Sequence, residues 1–123
     1  MASRTDSSRP AAPHLDAETL ASLRTSLLAE RDEQRRLVAE HEAAVAELTG
    51  QPDMDSVRER ALAEERRVRA AKALADVEHA LQRMDAGDYG TCERCRGPIA
   101  VERLVAIPHA RRCVGCPAPS RGF

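Results

Sequence analysis

The chain has 123 residues, 32% of them charged, and a formal net charge of only −1. Charges of both signs so evenly interspersed argue for solvated helix faces rather than for the one-signed stripe of a nucleic-acid binder. Aromatic residues are limited to Tyr89 and Phe123, and much of the 42% hydrophobic content is alanine, so the expectation is helices sharing a narrow apolar seam, without a large globular core.

No apolar run is long enough to span a bilayer. Residues 1–13 lack the apolar stretch of a secretory signal. A cytoplasmic chain with no membrane partner is therefore expected.

Residues 1–14 are polar, with two prolines, and read as a disordered tail. Asp16 is placed to cap a helix, with Glu18 and Thr19 in its first turn. Leucines and alanines then recur at Leu20, Leu23, Leu27, Leu37, Ala44 and Leu48, at three-and-four spacing. Val38 and Val45 widen the stripe, while Glu30, Gln34 and His41 interrupt the seam with polar groups. Gly50-Gln51-Pro52-Asp53 breaks the helix.

Asp53 or Asp55 can cap a second helix, whose stripe runs through Val57, Ala61, Val68, Ala71, Leu74, Val77, Leu81 and Met84 to a stop at Gly87. Each helix is about 45–50 Å long at about 1.5 Å per residue, and the short connection makes the two antiparallel neighbours. Charge runs such as Glu64-Glu65-Arg66-Arg67 and Arg31-Asp32-Glu33 read as solvated faces with pairs three or four residues apart. The hairpin is expected over residues 15–86, with its tip at about 49–56.

The remaining segment carries all four cysteines, Cys92, Cys95, Cys113 and Cys116. Their spacing, C-x2-C-x17-C-x2-C, falls in the window for a four-thiolate zinc site. In a cytosolic setting paired cysteines favour metal over disulfides. Gly90 and Gly97 flank the first pair where the backbone must turn toward the sulfurs. Arg94, Arg96, Arg111 and Arg112 are close enough in sequence to offset the negative charge of four thiolates on one Zn²⁺.

Four cysteines close the coordination shell without His109, so the zinc is structural; a catalytic zinc would keep an open position. There is no Ser/His/Asp set and no Gly-rich phosphate loop, and His14, His41 and His79 are scattered along tail and helices. The chain is not expected to be an enzyme. The fold class is mainly α: a long antiparallel coiled-coil hairpin followed by a small four-cysteine zinc-binding module over residues 87–117, with a short tail at 118–123.

Ala80-Leu81-Gln82-Arg83-Met84, followed by Gly87-Asp88-Tyr89-Gly90-Thr91-Cys92-Glu93-Arg94-Cys95, resembles the TraR/DksA zinc-finger family. Pro98-Ile99, Glu102-Arg103-Leu104, the Pro108 turn and Arg112-Cys113-Val114-Gly115-Cys116 extend the resemblance, which covers about residues 78–116. It implies a bacterial transcription regulator that binds RNA polymerase without needing DNA contacts, inserts its hairpin into the secondary channel and acts there through an acidic tip.

On that reading Asp53 and Asp55 are the effector tip, and Arg103, Arg94 and Arg96 are polymerase-docking candidates; a monomer is expected. The family's D-x-x-D-x-A tip aligns its second Asp with Asp55 and its Ala with Val57, but its first Asp with Pro52. Ile107 and Pro117 stand where a response to guanosine tetraphosphate would need basic residues, which argues against that response. Two other readings of the residues are a nucleic-acid-binding zinc ribbon and a non-catalytic coiled-coil scaffold.

Overall fold

The computed structural model describes residues 14–116; the tail expected over 1–14, apart from His14, and the one over 118–123 lie outside that range. Three helices carry the described chain: α1 (Ala17–Leu48), α2 (Met54–Ala86) and α3 (Val101–Ala106). Among the described residues the only extended pairing is a single antiparallel bridge between Thr91 and Pro98. None of these helices is long and apolar enough to cross a membrane.

The ends of the long helices are set by local chemistry. Asp16 Oδ1 accepts the Thr19 amide at 2.7 Å, satisfying one of the amides left unpaired in the first turn of α1. Asp53 Oδ2 does the same for Ser56 at 2.9 Å at the start of α2. Hydrogen bonds from the Thr19 side chain and amide hold the Asp16 carboxyl below the usual carboxylate range, and those from the Ser56 amide and side chain do the same for Asp53. α1 closes at Gly50, whose φ of 90° is open to glycine.

α2 ends in a Schellman turn. The Asp88 amide reaches back to the Arg83 carbonyl at 3.0 Å, the Gly87 amide to that of Met84 at 3.2 Å, and Gly87 takes the left-handed φ of 86° between them.

The chain divides into two compact units, one of Met1–Leu28 with Val77–Phe123, the other of Ala29–Asp76. In the first, the start of α1 lies antiparallel to the end of α2, with Arg24 and Asp85 paired at 3.2 Å. This unit holds the hydrophobic core: Leu15, Leu23 and Leu27 pack with Val77, Ala80, Leu81, Tyr89, Cys92, Ile99 and Leu104. Leu15, which the sequence leaves at the edge of the tail, is 2% exposed. The neighbouring His14 ring bonds the Ile99 carbonyl through Nε2 at 2.6 Å.

The second unit is the distal hairpin, whose five-residue connection (49–53) makes its two helical segments antiparallel. Here the stripe expected on α2 is out of phase. Val57 and Val68 are 39% and 53% exposed, and Ala61 is exposed as well; the buried residues are Ala63 and Ala70. Ala63 and Ala70 lead to Val77 in steps of seven, whereas Ala61 and Val68 sit two residues, or about 200° of helix rotation, away from them. Methyl groups at 63 and 70 let the two backbones approach, and valines in their place would hold them apart.

Burial of a whole leucine should therefore matter far more than the valines do. Leu27→Ala is expected to lower the unfolding free energy by about 3 kcal/mol, and Val68→Ala to change it by no more than about 0.5 kcal/mol, both measured by urea denaturation followed by circular dichroism.

Candidate metal centre

The Schellman turn delivers the chain directly into the first cysteine pair. After Gly87 the backbone doubles back on itself: Ile99 donates to the Gly90 carbonyl at 2.8 Å, and Cys92 to that of Gly97 at 2.7 Å. Inside this turn the amides point at sulfur. Arg94 and Cys95 donate to Cys92 Sγ at 3.4 and 3.5 Å, and Gly97 donates to Cys95 Sγ at 3.4 Å.

The sharpest backbone position is Arg96, a non-glycine residue in the left-handed region at φ 66°. The glycine pattern points to Gly90 and Gly97 instead; Gly90 does turn left-handed, at φ 90°.

α3, which cysteine spacing alone does not reveal, carries the chain from the first pair toward the second. Ile99 and Leu104 are fully buried there. The Tyr89 hydroxyl donates to the Pro108 carbonyl at 2.8 Å, Arg103 Nε donates to the Arg112 carbonyl at 3.0 Å, and the Glu93 amide donates to the Arg111 carbonyl at 2.8 Å. These three bonds hold the second pair against the first.

The result is four Sγ atoms, of Cys92, Cys95, Cys113 and Cys116, all within 4.8 Å of one another. Cys95 and Cys113 Sγ are 3.7 Å apart. A disulfide would require about 2.05 Å, and the cysteines are free thiols. A tetrahedral zinc with Zn–S bonds of about 2.3 Å has S···S edges of about 3.8 Å, so the sulfurs fit one such ion. His109 is not part of this cluster.

The electrostatics agree with that fit. The Cys95 amide, then those of Cys113 and Arg94, push the Cys92 thiol down to about 5. Hydrogen bonding to Cys113, then burial and the other sulfurs, raise Cys116 to about 12. Four sulfurs this close resist simultaneous ionisation, and a divalent cation at their centre removes the conflict.

One more cluster ties the module to α2. Arg83 is 8% exposed, and its Nη2 donates to the carbonyls of Asp88 and Thr91, both at 2.7 Å. Its Nη1 lies 3.4 Å from Glu93 Oε2, and the same carboxylate hydrogen-bonds His79. Burial opposes ionisation of Glu93, but His79 and the charge of Arg83 outweigh it and hold the carboxyl below its usual range.

Of the expected docking arginines, Arg94 and Arg96 are exposed and Arg103 is partly buried by its bond to Arg112. Asp53 and Asp55 belong to the distal unit.

These features define a four-cysteine zinc finger built onto the base of a helical hairpin, with one structural zinc. Residues 87–119 match the prokaryotic dksA/traR C4-type zinc finger. The chain is 49% identical over 41 residues to general stress protein 16O of Bacillus subtilis, and 36% identical over 50 residues to the RNA polymerase-binding transcription factor DksA of Haemophilus influenzae. These matches cover 33% and 41% of this chain but only 25% and 34% of those proteins. Among solved structures, transcription factor DksA2 of Pseudomonas aeruginosa aligns over 87% of this chain and 86% of its own, with a TM-score of 0.74 at 26% identity. Residues 87–119 thus carry a finger of the dksA/traR C4 type, in a chain whose fold is similar to that of DksA2.

Two outcomes test this geometry. Because a side chain in the left-handed region costs about 1 kcal/mol relative to glycine, Arg96→Gly should raise stability of the zinc-loaded protein by about that amount in thermal unfolding.

Tyr89 supplies an optical readout. Burial raises its phenol to about 12, against about 10 in an unfolded chain. The phenol is protonated in both states below about pH 10, so its contribution is complete there; it is lost as pH rises from about 10 through 12. Chelating the zinc should bring the spectrophotometric phenolate midpoint back toward about 10.

Proposed function

We propose that this chain is a non-catalytic regulator of bacterial transcription initiation that acts in the cytoplasm as a monomer. It binds RNA polymerase directly, with the hairpin tip entering the secondary channel. The observation that carries this reading is the likeness to DksA2, which extends across most of both chains and so includes hairpin as well as finger. The relative from Haemophilus influenzae is itself described as RNA polymerase-binding. In this reading Cys92, Cys95, Cys113 and Cys116 hold the zinc, whose role is to fix the finger's fold.

The two tip carboxylates differ in what they are free to do. Asp53 is engaged as the cap of α2 through Ser56. Asp55 is 87% exposed, with one loose pairing to Arg58 at 3.6 Å. Asp55 is therefore the better candidate for acting on a basic or metal-bearing site in the channel, while Asp53 holds the tip in shape. At the other end of the chain, exposed Arg94 and Arg96 are suited to docking, and Arg103 supports them by fixing the Arg112 backbone.

The first experiment is co-elution of the zinc-loaded protein with bacterial core RNA polymerase in the absence of DNA, challenged with a known secondary-channel competitor. Absence of binding at micromolar concentration, with zinc and helicity intact, would sink the proposal. If binding holds, Asp55→Ala should abolish the effect on open-complex lifetime without changing stability. Asp53→Ala should lower hairpin stability by removing the cap, visible as a lower urea midpoint.

A further inference from the structure

The two cysteine pairs are fastened to the finger in different ways. The first sits in a closed turn, in which Ile99 donates to Gly90, Cys92 to Gly97 and Arg96 to the Cys92 carbonyl at 3.0 Å. The bridge between Thr91 and Pro98 ties the ends of that turn together. Its sulfurs are gripped as well: Cys92 Sγ takes the amides of Arg94 and Cys95, and Cys95 Sγ takes that of Gly97. Gly97 lies so close that a Cβ built on it would stand 3.4 Å from Cys95 Sγ.

The second pair is fastened at its start. Glu93 and Arg103 hold the carbonyls of Arg111 and Arg112, and the Cys113 amide bonds Cys92 Sγ. Beyond Cys113 the chain turns over a bond internal to the pair, from the Cys116 amide to the Cys113 carbonyl at 3.1 Å. The two residues between them face solvent, Val114 at 78% exposure. A Cβ on Gly115 would stand 4.0 Å from Cys113 Sγ, so the backbone keeps further from sulfur here than at Gly97. Among the described residues, the amides that point at sulfur all serve Cys92 and Cys95.

This difference decides which ligand can leave. A sulfur that accepts amides is kept in place, and in its metal-binding form, by the backbone around it. Cys116 keeps its place through the metal. It can swing out on the exposed Val114-Gly115 link while every bond that ties the finger together stays made. Exposure alone would select Cys95, the most open of the four, but its departure gives up the Gly97 bond.

We propose that the zinc site opens at its second pair: Cys116 leaves first, Cys92, Cys95 and Cys113 keep hold, and a small thiol takes the vacated place. Three protein ligands and one exchangeable position are enough to hold zinc, and a soft sulfur donor suits a site made of thiolates. The incoming thiol's proton passes to the Cys116 sulfur as its own sulfur takes over, with no change of oxidation state. The inference rests on the zinc assignment and is independent of the polymerase-binding reading.

The test uses the full zinc-loaded chain without oxygen. Brief exposure to N-ethylmaleimide, with the labelled cysteines mapped by mass spectrometry, should modify Cys116 about tenfold faster than Cys95. Zinc release to a chromogenic chelator should accelerate in proportion to added reduced glutathione. Cys116→Ala should retain one zinc per chain, and Cys92→Ala should lose it. Faster labelling of Cys95 would show that exposure governs and would overturn the proposal. Equal labelling of all four cysteines would mean that the site collapses as a whole, which also overturns it. A release rate indifferent to glutathione would remove the thiol from the exchange, and loss of zinc from Cys116→Ala as complete as from Cys92→Ala would remove the three-sulfur hold.

Discussion

Much of the first unit hangs on where the guanidinium of Arg83 goes. It leaves α2 three residues before the helix ends and is nearly fully buried. There it is satisfied by two carbonyls of the knuckle approach and by Glu93. A buried charge without partners is costly, so the helix end and the knuckle must form together: each supplies what the other would otherwise leave unpaired. The Schellman turn at Gly87 fixes the direction in which the chain leaves α2, and the zinc-binding sulfurs lie only a few residues beyond. Metal binding at such a site contributes to folding directly, and Arg83 is the physical link by which that contribution reaches the base of the hairpin.

The two units are stabilised by different means. Every large buried side chain belongs to the unit containing the finger, including Tyr89, Leu15, Leu27, Ile99 and Leu104. The distal unit buries only Ala63 and Ala70. Its order comes from helix propensity, from the Asp53 cap and from exposed, individually weak ion pairs such as Arg36 with Glu33 and Glu40. Local opening should accordingly be easiest in the second unit.

What could be read in the amino-acid sequence was what depends on neighbours within a turn or two. The cysteine spacing, the Asp16 and Asp53 caps, the break at Gly50 and the stop at Gly87 are such features. What escaped was set by partners remote in the chain. Leu15 is buried, and His14 bonds Ile99, 85 residues away. Arg83 meets Glu93 across the end of a helix, and neither residue's spacing signals it. The seam of α2 departs from the one its most hydrophobic residues suggest, because Val57 and Val68 stay exposed while close helix approach selects the smaller Ala63 and Ala70. Arg96 adopts a backbone conformation that its identity does not suggest, because the knuckle requires a left-handed residue immediately after Cys95.

The alanine seam has a further consequence, in cross-section. Packed helices lie 8–10 Å apart according to the side chains between them, and methyl groups set that distance toward the lower end. A hairpin packed this way is slimmer than one zipped by leucines and can pass through a narrower opening. The same two alanines that make it slender also leave it with little buried surface, so slimness and softness in the distal hairpin have one origin.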